Sequence, residues 1–487
     1  MQDKRQELIE IVGDENVYDD PSVLDEYSKD HSFVNRMRPD YVVKPKNTDE
    51  VEAIVKWAND TLIPLVPVSS GPPRFRGDTV PSTGGAVIFD LSRMKQVLSV
   101  DRRNRVAMIE PGVTFAELIP ELKKNGLRAN IPFLPRQSKS VIGSMLEREP
   151  GIMPKYQWDI SDPLACTEVI YGTGDLFRTG SAAGPGTLEE QRTAGAAQKG
   201  PAGPGQADFY RLIQGAQGTM GIVTWATLRC ELLPSLQEPF VVGSSNLDDL
   251  LEFTYWLIRL KLVDECLIQN RCTLATILTM DGNYEPLVHG LPRWLLFFCI
   301  AGYEYFPEER VAYQIEQMMD IAKRVALEPG RAIGKVSAYE VLRILGKPAA
   351  EPYWKLRRKG SCYEIFFLTT RNKLPEIIHI MQDVANKCGY PVEEMGILLQ
   401  PVVQATSYHC EFDMFYDPNS PTEVDKAQEF FVDASKVLMA NGAFFSRPYG
   451  LWADMVYRRD GATATVLKKV KEIFDPKNIL NPGKLCF

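Results

Sequence analysis

Histidine is scarce in this sequence, which limits the kinds of site that the chain can build. Four histidines occur among 487 residues, and the nine cysteines are scattered without a C-x-x-C pair. Because zinc and iron sites need several such residues at short spacing, we expect no metal site. Scattered cysteines in odd number are typical of reduced, buried thiols in a cytoplasmic protein.

Long apolar runs and an excess of basic residues are also absent. The most apolar stretch, 294–303, has about half of the roughly 20 residues that a membrane-spanning helix needs, and it predicts a buried strand. No apolar segment follows Met1, so we expect no signal peptide. A net charge of −8 argues against nucleic acid or an anionic membrane surface as the main partner.

Short strands and helices follow one another in the first half of the chain. Strands are predicted at 64–68 and 86–91, and Thr114 with Glu117 forms a capping box that predicts the start of a helix. Residues 181–206, rich in Gly, Ala, Pro and Gln, predict a loop. At 487 residues the chain exceeds one hydrophobic core, so these patterns predict an α+β protein of at least two domains.

A loop rich in Gly, Pro and Ser, residues 69–81, connects two of these predicted strands. Alone, it has an ordinary interpretation, since such residues serve to turn the chain. The functional alternative is that closely approaching backbone N–H groups bind a pyrophosphate, which requires small residues. Further segments favour the second interpretation through their order, and they are 84–94, 109–114, 141–145, 168–180, 215–224 and 475–484.

In order and spacing, these segments resemble the FAD-binding domain of the vanillyl-alcohol oxidase and p-cresol methylhydroxylase flavoprotein superfamily. The resemblance is close over 40–232, good over 442–484 and loose between them. It implies an α+β FAD-binding domain made of 1–235 and 446–487, with 236–445 as a cap domain over the isoalloxazine ring. It also implies a homodimer formed through the cap.

The resemblance implies that small residues line a groove for FAD and that the 69–81 loop holds its pyrophosphate. Related proteins often anchor the flavin on a His or Cys near this loop, and the loop contains neither, so we expect non-covalent FAD. The cofactor-binding residues implied are Ser69, Ser70, Gly71, Pro72, Pro73, Arg74, Phe75, Arg76, Gly77, Asp78, Pro111, Gly143, Ser144, Gly221, Ile222, Val223 and Lys484.

Two further segments resemble the catalytic parts of the vanillyl-alcohol oxidase branch. Residues 151–159 match a segment whose aspartate lies beside flavin N5, which places Asp159 there. Residues 442–454 match a segment whose arginine, here Arg447, faces substrate and flavin. A fixed guanidinium would stabilise the charge that develops on the reduced ring, and a carboxylate can accept the alcohol proton. The alternatives are a surface or helix-capping aspartate and a surface salt bridge.

This sequence departs from the phenol-oxidising members at two positions. Two tyrosines that help to bind a phenolate are replaced by Arg76 and Ser446, which puts an unmodified phenol substrate in doubt. Arg74 and Arg76 either gather with Arg447 around a carboxylate or another anion, or bind the FAD pyrophosphate or face solvent. The residues predicted to bind substrate are Arg76, Gln400, Ser446 and Tyr449.

A third catalytic candidate is His409. Residues 407–417 predict a strand whose two faces alternate, with His409, Glu411 and Asp413 on the same side. An imidazole titrates near neutrality, which suits a general base, although a histidine on a strand also serves structural roles. Residues 396–404 predict a strand that lines the same floor, with Gln400 in reach of ligand.

These inferences predict an FAD-dependent oxidoreductase, a dehydrogenase or oxidase that abstracts a hydride from a benzylic or alcohol carbon. Its substrate would be a small aromatic or anionic molecule, and its electrons would pass to oxygen or a redox protein. The first alternative is an FAD-dependent D-2-hydroxy-acid dehydrogenase of the lactate or glycolate kind. The second is a non-catalytic flavin subunit of an electron-transfer complex.

Overall fold

The computed structural model describes residues 4–157, 163–205, 209–280 and 284–487. Within these ranges, helices and strands mix along the whole chain, which confirms the predicted α+β class. Each helix is too short or too polar to cross a bilayer.

The first layer is a small sheet in which β2 and β3 run parallel to β4 and β1 runs antiparallel to β2. Its order is β1-β2-β4-β3, and α3 packs on it through Val51, Ile54 and Val55. Asn47 caps α3, because its side chain accepts from the backbone N–H of Glu50. The elements are α1 (Lys4–Val12), β1 (Val17–Tyr18), α2 (Pro21–Tyr27), β2 (Tyr41–Val43), α3 (Thr48–Thr61), β3 (Leu65–Val68) and β4 (Val87–Asp90).

The second layer is an antiparallel sheet of order β5-β6-β10-β8-β9, accompanied by a β11-β7 pair. The predicted capping box is confirmed, since Thr114 and Glu117 satisfy each other's backbone N–H at the start of α4. The elements are β5 (Val97–Asp101), β6 (Val106–Ile109), α4 (Phe115–Lys124), β7 (Leu127–Arg128), α5 (Val141–Leu146), β8 (Leu164–Tyr171), β9 (Leu176–Arg178), α6 (Leu188–Thr193), α7 (Tyr210–Ile213), β10 (Gly221–Arg229) and β11 (Glu231–Leu232).

The prediction that 181–206 is entirely loop was wrong. Helix α6 lies in this stretch, and Thr187 with Glu190 forms a second capping box at its start. The T-x-x-E pattern outweighs the surrounding Gly, Pro and Ala because it satisfies backbone donors that a short helix otherwise leaves unpaired.

The third layer is an antiparallel sheet of order β12-β14-β13-β18-β19-β17. The apolar run 294–303 forms its buried strand β14, as predicted. A second, short pair joins β15 and β16. The elements are β12 (Leu236–Ser244), α8 (Leu247–Arg259), β13 (Cys266–Asn270), α9 (Arg271–Leu278), α10 (Tyr284–His289), β14 (Trp294–Gly302), α11 (Pro307–Arg324), β15 (Ala332–Ile333), β16 (Val336–Ser337), α12 (Ala338–Leu345), α13 (Trp354–Arg357), β17 (Ser361–Thr369), α14 (Leu374–Lys387), β18 (Gly396–Val402), β19 (Ser407–Tyr416) and α15 (Pro421–Ala440).

The two faces of this third sheet have different neighbours. On one face Phe298, Cys410 and Phe412 pack in a core with residues of helices α8, α11, α14 and α15. On the other face Leu267, Phe297 and Leu398 belong to a core that includes residues of the second layer. The predicted alternation along 407–417 therefore separates a helix-facing side from a side that faces the rest of the molecule.

The end of the chain returns to the first layer after α16 (Leu451–Tyr457) and α17 (Gly461–Phe474). Leu480 forms a parallel bridge with Leu65 on the open edge of β3. The backbone N–H of Leu65 donates to the carbonyl of Ile479, and that of Asn481 donates to Leu65. Because the third sheet lies wholly within 236–416, we propose the division into 1–235 with 446–487 and 236–445.

Candidate active site

One cavity, with about 1590 Å³ of non-atom space that includes open solvent at its mouth, lies against the third sheet. Residues from the segments 67–79, 132–150 and 213–223 line one side of the cavity, which we call the loop wall. The side that we call the sheet wall consists of Tyr353, Lys355, Glu364, Leu398, Gln400, His409 and Glu411, together with Arg447 and Tyr449.

The loop wall brings together most of the cofactor-binding residues predicted from the sequence. The lining includes Ser69, Ser70, Arg74, Phe75, Arg76, Asp78, Pro111, Gly143, Gly221, Ile222 and Val223. Gly77 and Lys484 line a second cavity, which shares Asp78 and Gln217 with the first. Four predicted residues, Gly71, Pro72, Pro73 and Ser144, are not part of the lining of the first cavity. The Ser144 hydroxyl instead donates to Glu149 at 2.6 Å.

Small residues allow the loop wall to be built from closely approaching segments. A Cβ on Gly143 would lie 3.0 Å from the hydroxyl oxygen of Ser69. Gly218 has a φ of +72°, and a Cβ there would lie 2.2 Å from Cγ of Pro67. A larger residue at Gly218 would therefore force the Pro67 ring or the backbone to move, whereas one at Gly143 would require a smaller shift of the Ser69 hydroxyl.

Charged and polar groups of the loop wall fit a dinucleotide with a diphosphate. Arg74 and Arg136 line the wall, as does Thr79. Nε of Arg136 and the hydroxyl oxygen of Thr79 are buried without a hydrogen-bond partner among the residues described. Buried polar atoms are normally paired, so these atoms are available to a bound ligand. Such donors on the loop wall match the negative charge of the FAD diphosphate.

Arg76 is occupied by carboxylates. Its guanidinium lies 2.7 Å from Glu147, 3.0 Å from Glu149 and 3.6 Å from Glu364. Burial acts to lower the pKa of Arg76, but these carboxylates outweigh it and raise the pKa well above its ordinary value. From the sequence, Arg76 was expected to bind an anionic ligand or to face solvent. The carboxylates that pair with it in the structure were not predicted.

Arg74 has a separate environment. Its guanidinium stacks on the ring of Tyr27 at 4.4 Å and donates to the carbonyls of Ser70 and Glu26, at 3.3 Å each. It lines the cavity from the loop wall, whereas Arg447 lies on the sheet wall.

Arg447 is a buried cation without an ionic partner among the residues that the structure describes. Its side chain is 3% exposed, and its guanidinium lies 4.2 Å from the centre of the Phe366 ring. Nη1 has no hydrogen-bond partner in the same part of the chain. Burial lowers the pKa of Arg447, and the neighbouring charge of Arg76 lowers it further. Glu149 and Glu147 oppose this lowering without forming a direct ion pair with Arg447 among the described residues. A buried charge with no direct partner is unfavourable, so this position favours an anionic group in the cavity.

Backbone pairing positions Arg447. Phe444 and Leu368 exchange two backbone hydrogen bonds of 2.9 Å, which join the segment before Arg447 to strand β17. Phe366, two residues earlier on that strand, lies on the same face as Leu368. The ring that stacks on Arg447 is therefore supplied by the strand to which the Arg447 segment is attached.

His409 and Glu411 share the cavity-facing side of β19, as the alternation predicted. His409 is 3% exposed, and its Nε2 lies 3.4 Å from Glu411. Burial lowers the pKa of His409, and Arg447 contributes to the lowering, while Glu411 opposes it. A neutral imidazole near physiological pH is suited to accept a proton.

Strand register places Gln400 opposite His409, and Leu398 opposite Glu411. The Gln400 amide donates to the carbonyl of Cys266 at 3.0 Å, and its Oε1 has no partner among the described residues. Tyr449 also lines the cavity, beneath the guanidinium of Arg76 at 5.4 Å.

Among the predicted catalytic and substrate-binding residues that the structure describes, Ser446 is the one that the cavity lining does not include. Its carbonyl accepts from Arg148. Asp159 lies outside the described residues, in 158–162.

Several charged residues of the cavity were not predicted from the sequence. Lys355 lies 2.6 Å from Glu411, 2.9 Å from Asp413 and 3.2 Å from Glu364. Burial raises the pKa of Asp413 to about 7, with Lys355 opposing the rise and Glu411 and Glu364 adding to it. Glu364 interrupts an otherwise apolar strand, which is a usable signal for a buried charge, whereas the sequence around Lys355 carries none.

Family comparison identifies the class of this site. The model of the FAD binding domain matches residues 39–180. The model of the C-terminal domain of FAD linked oxidases matches residues 368–485, and together the two models match more than half of the chain. The chain belongs to the FAD-linked oxidase superfamily. Its cofactor is FAD, and it is an FAD-dependent oxidoreductase.

The relatives of this flavoprotein include more than one kind of enzyme. Glycolate oxidase subunit GlcD of Bacillus subtilis is 25% identical over 99% of this chain and 96% of its own length. The flavoprotein subunit of 4-cresol dehydrogenase (hydroxylating) of Pseudomonas putida is 23% identical, over 97% of this chain and 93% of its own.

Structure comparison agrees on the fold of the flavoprotein. The crystal structure of p-cresol methylhydroxylase with substrate bound superposes with a TM-score of 0.82, at 20% identity, over 99% of this chain and 96% of that one. The chain has the two-domain FAD-binding fold of the vanillyl-alcohol oxidase type.

Proposed function

We propose that this enzyme removes a hydride from a hydroxyl-bearing or benzylic carbon of a small substrate that carries one anionic group. Arg447 binds the anion, and His409 accepts the proton. The observation that carries the proposal is the buried guanidinium of Arg447, which has no ionic partner among the described residues and lines the same cavity as His409. Lys355, the other buried cation of the sheet wall, has carboxylate partners there.

FAD, when bound, supplies the hydride acceptor. The protein residues that we propose to hold it are the predicted set of the loop wall, with Arg74, Arg136 and Thr79 nearest in chemistry to a diphosphate. We also propose that it is bound non-covalently. The lining contains no cysteine among the described residues, and its histidine, His409, contacts Glu411. Acid precipitation of the holoenzyme should release the yellow flavin into the supernatant, and flavin retained in the pellet would contradict a non-covalent link.

Proton transfer falls to His409 because its pKa is lowered and it lies beside the anion-binding position. Asp159 remains a proposed second carboxylate near the flavin, by resemblance. Gln400 and Tyr449 are proposed to contact the substrate from the sheet wall. With Ser446 away from the cavity lining, no tyrosine-like hydroxyl is proposed at that position.

A D-2-hydroxy acid is the second candidate substrate. A carboxylate next to the reacting carbon would satisfy Arg447 by a two-point hydrogen bond. The glycolate oxidase subunit acts, by its name, on a hydroxy acid, while the 4-cresol dehydrogenase subunit acts on a phenol. Arg447 is compatible with both anions, so substrate tests have to separate them.

The test is flavin reduction in the purified holoenzyme under anaerobic conditions. Four probes separate anion from aromatic ring: D-lactate, D-mandelate, 4-hydroxybenzyl alcohol and benzyl alcohol. We expect the probes that can present an anion to reduce the flavin and benzyl alcohol to be the poorest. D-lactate and D-mandelate alone would indicate the hydroxy-acid function, and 4-hydroxybenzyl alcohol alone the aromatic one. Equal reduction by benzyl alcohol would contradict the role of Arg447.

Variants sharpen this test. Loss of a buried charge partner costs about 2 kcal/mol or more, so Arg447→Met should lower the specificity constant for the anionic probe at least about 30-fold. The matched control is Arg371→Met, which removes an arginine paired with Glu252 away from the cavity lining. No reduction of a fully loaded flavin by any probe would instead favour the non-catalytic flavin subunit.

The proposal also covers the electron acceptor and the oligomeric state. Oxygen or a redox protein accepts them, and the enzyme is proposed to form a homodimer through the 236–445 region. Stopped-flow reoxidation by oxygen and light scattering of the purified chain measure these two points directly.

A further inference from the structure

Lys355 is buried in the sheet wall at the meeting point of three carboxylates. It is 3% exposed and lies on the short helix α13, with its Nζ 5.1 Å from the centre of the Trp354 ring. Its Nζ lies 2.6 Å from Glu411, 2.9 Å from Asp413 and 3.2 Å from Glu364. The register of β17 and β19 pairs Glu364 directly with Asp413, so one ammonium group can reach all three.

The three carboxylates are not equivalent. Glu364 also lies 3.6 Å from Arg76, which gives it a second cation. Asp413 is fully buried, and burial together with the other two carboxylates raises its pKa to about 7. Glu411 has its pKa lowered by Lys355 and His409, despite its burial. Glu411 is therefore the member that stays ionised and touches the histidine.

Glu411 bridges Lys355 and His409. One carboxylate oxygen is 2.6 Å from Lys355, and the other is 3.4 Å from Nε2 of His409. A carboxylate that accepts from Nε2–H fixes the ring orientation and leaves Nδ1 as the acceptor nitrogen. In metal-independent acid–base sites, an anion placed behind the imidazole also stabilises the imidazolium that forms on proton transfer.

We propose that Lys355 is a positioning residue for proton transfer: it holds Glu411 against Nε2 of His409, so that Nδ1 faces the reacting group. The inference rests on the proposed function of His409 as the proton acceptor. Lys355 acts through Glu411 and does not itself take the substrate's proton.

The charges around His409 determine the direction in which its pKa should change when Lys355 is removed. Glu411 faces it from β19, Arg447 and Arg76 are the cations that lower its pKa, and Phe366 packs on its ring. A lysine that acted on His409 directly would lower its pKa, so its removal would raise that pKa. A lysine that acts by holding Glu411 in place keeps the pKa up, so its removal would lower it.

The experiment is an NMR titration of the FAD-loaded enzyme with labelled histidine. The chain has four histidines, so His409→Gln assigns the signal of His409. We expect Glu411→Gln to lower the pKa of His409 by about 1 or more. Lys355→Met should lower it in the same direction, and adding it to Glu411→Gln should change nothing further. Lys355→Arg, which keeps the charge, should restore most of the wild-type value.

The matched control is Lys359→Met. Lys359 follows on the same segment and lies 2.9 Å from Glu394 and 3.1 Å from Glu423, away from the cavity lining, so its loss should leave His409 unchanged. A rise of the His409 pKa in Lys355→Met, or additive effects in the double variant, would overturn the inference. If Lys355→Met does not fold, Lys355→Arg and Lys355→Met in the Glu411→Gln background provide the same comparison.

The outcome is separable from the proposed function. If the pKa of His409 responds as expected but His409→Gln still reduces its flavin at the wild-type rate, the positioning holds and the proton-acceptor role fails. If His409→Gln is inactive while the His409 signal ignores Lys355 and Glu411, the proton-acceptor role holds and the inference about Lys355 fails.

Discussion

Replacement of Arg76 by methionine distinguishes a structural ion network from a ligand-binding arginine. The guanidinium has a side-chain exposure of 15% and pairs with Glu147 and Glu149 at 2.7 and 3.0 Å. Its removal leaves these carboxylates with Lys139, which lies 2.6 and 3.5 Å from them. Removing one partner of a buried pair typically costs about 3–5 kcal/mol, because the remaining charge stays buried.

Thermal unfolding of the holoenzyme measures this cost. A loss of about 3 kcal/mol corresponds to a fall in Tm of about 6 °C or more for a domain of this size class. Arg102→Met is the control, since Arg102 and Glu304 are mostly exposed, and such pairs contribute about 1 kcal/mol or less.

A second variant tests the cause of the destabilisation. Adding Glu149→Gln to Arg76→Met removes one of the stranded charges and should recover part of the lost stability. An unchanged Tm in Arg76→Met, combined with a large rise in substrate KM, would refute the structural reading. Arg76 would then bind the substrate's anion, which was one of the alternatives that the sequence left open.

Two further predictions concern pH and the loop wall. In the folded state Asp413 has a pKa of about 7, above its ordinary value of 3.8, so the contribution of this group to stability falls as pH rises from about 4 to 7. When Tm is measured from pH 5 to 8, it should therefore fall less in Asp413→Asn than in the wild-type protein. Parallel curves for the two proteins would contradict the raised pKa. Gly218→Ala would place a Cβ 2.2 Å from Pro67 at a φ of +72° and should destabilise the protein by about 2 kcal/mol or more, which lowers both Tm and flavin content. The control is Gly195→Ala, which has a similar φ of +78° and open space around its Cβ. Equal losses in both variants would show that the contact with Pro67 does not matter.

Local patterns predicted the parts of the fold that depend on neighbouring residues. The capping box at Thr114, the buried strand β14 and the two faces of β19 all follow from spacing of a few residues. The helix α6 was missed because composition outweighed a four-residue capping signal. The order of the Gly-rich segments carried the prediction of FAD, which family comparison confirms.

Long-range partners of the cavity could not be predicted in this way. Arg76 and Glu147 are 71 positions apart, and Glu364 comes from strand β17 of the third sheet. Periodicity indicates which face of a strand is buried, but it does not say which charge on another element meets that face. Arg447 was predicted from the family resemblance and His409 from the alternation along its strand, whereas Lys355 was not predicted.

The hydrogen bonds between Leu65 and residues 479–481 make residues late in the chain part of the FAD-binding region. The side chain of Asn481 donates to the carbonyls of Asp78 and Gln217, and Lys484 donates to those of Gly77 and Val80. These contacts join both flanks of the FAD groove to a segment that the ribosome delivers after the whole of the third sheet. We expect the growing chain to complete its six-stranded sheet first and to acquire FAD only after residue 484 has emerged.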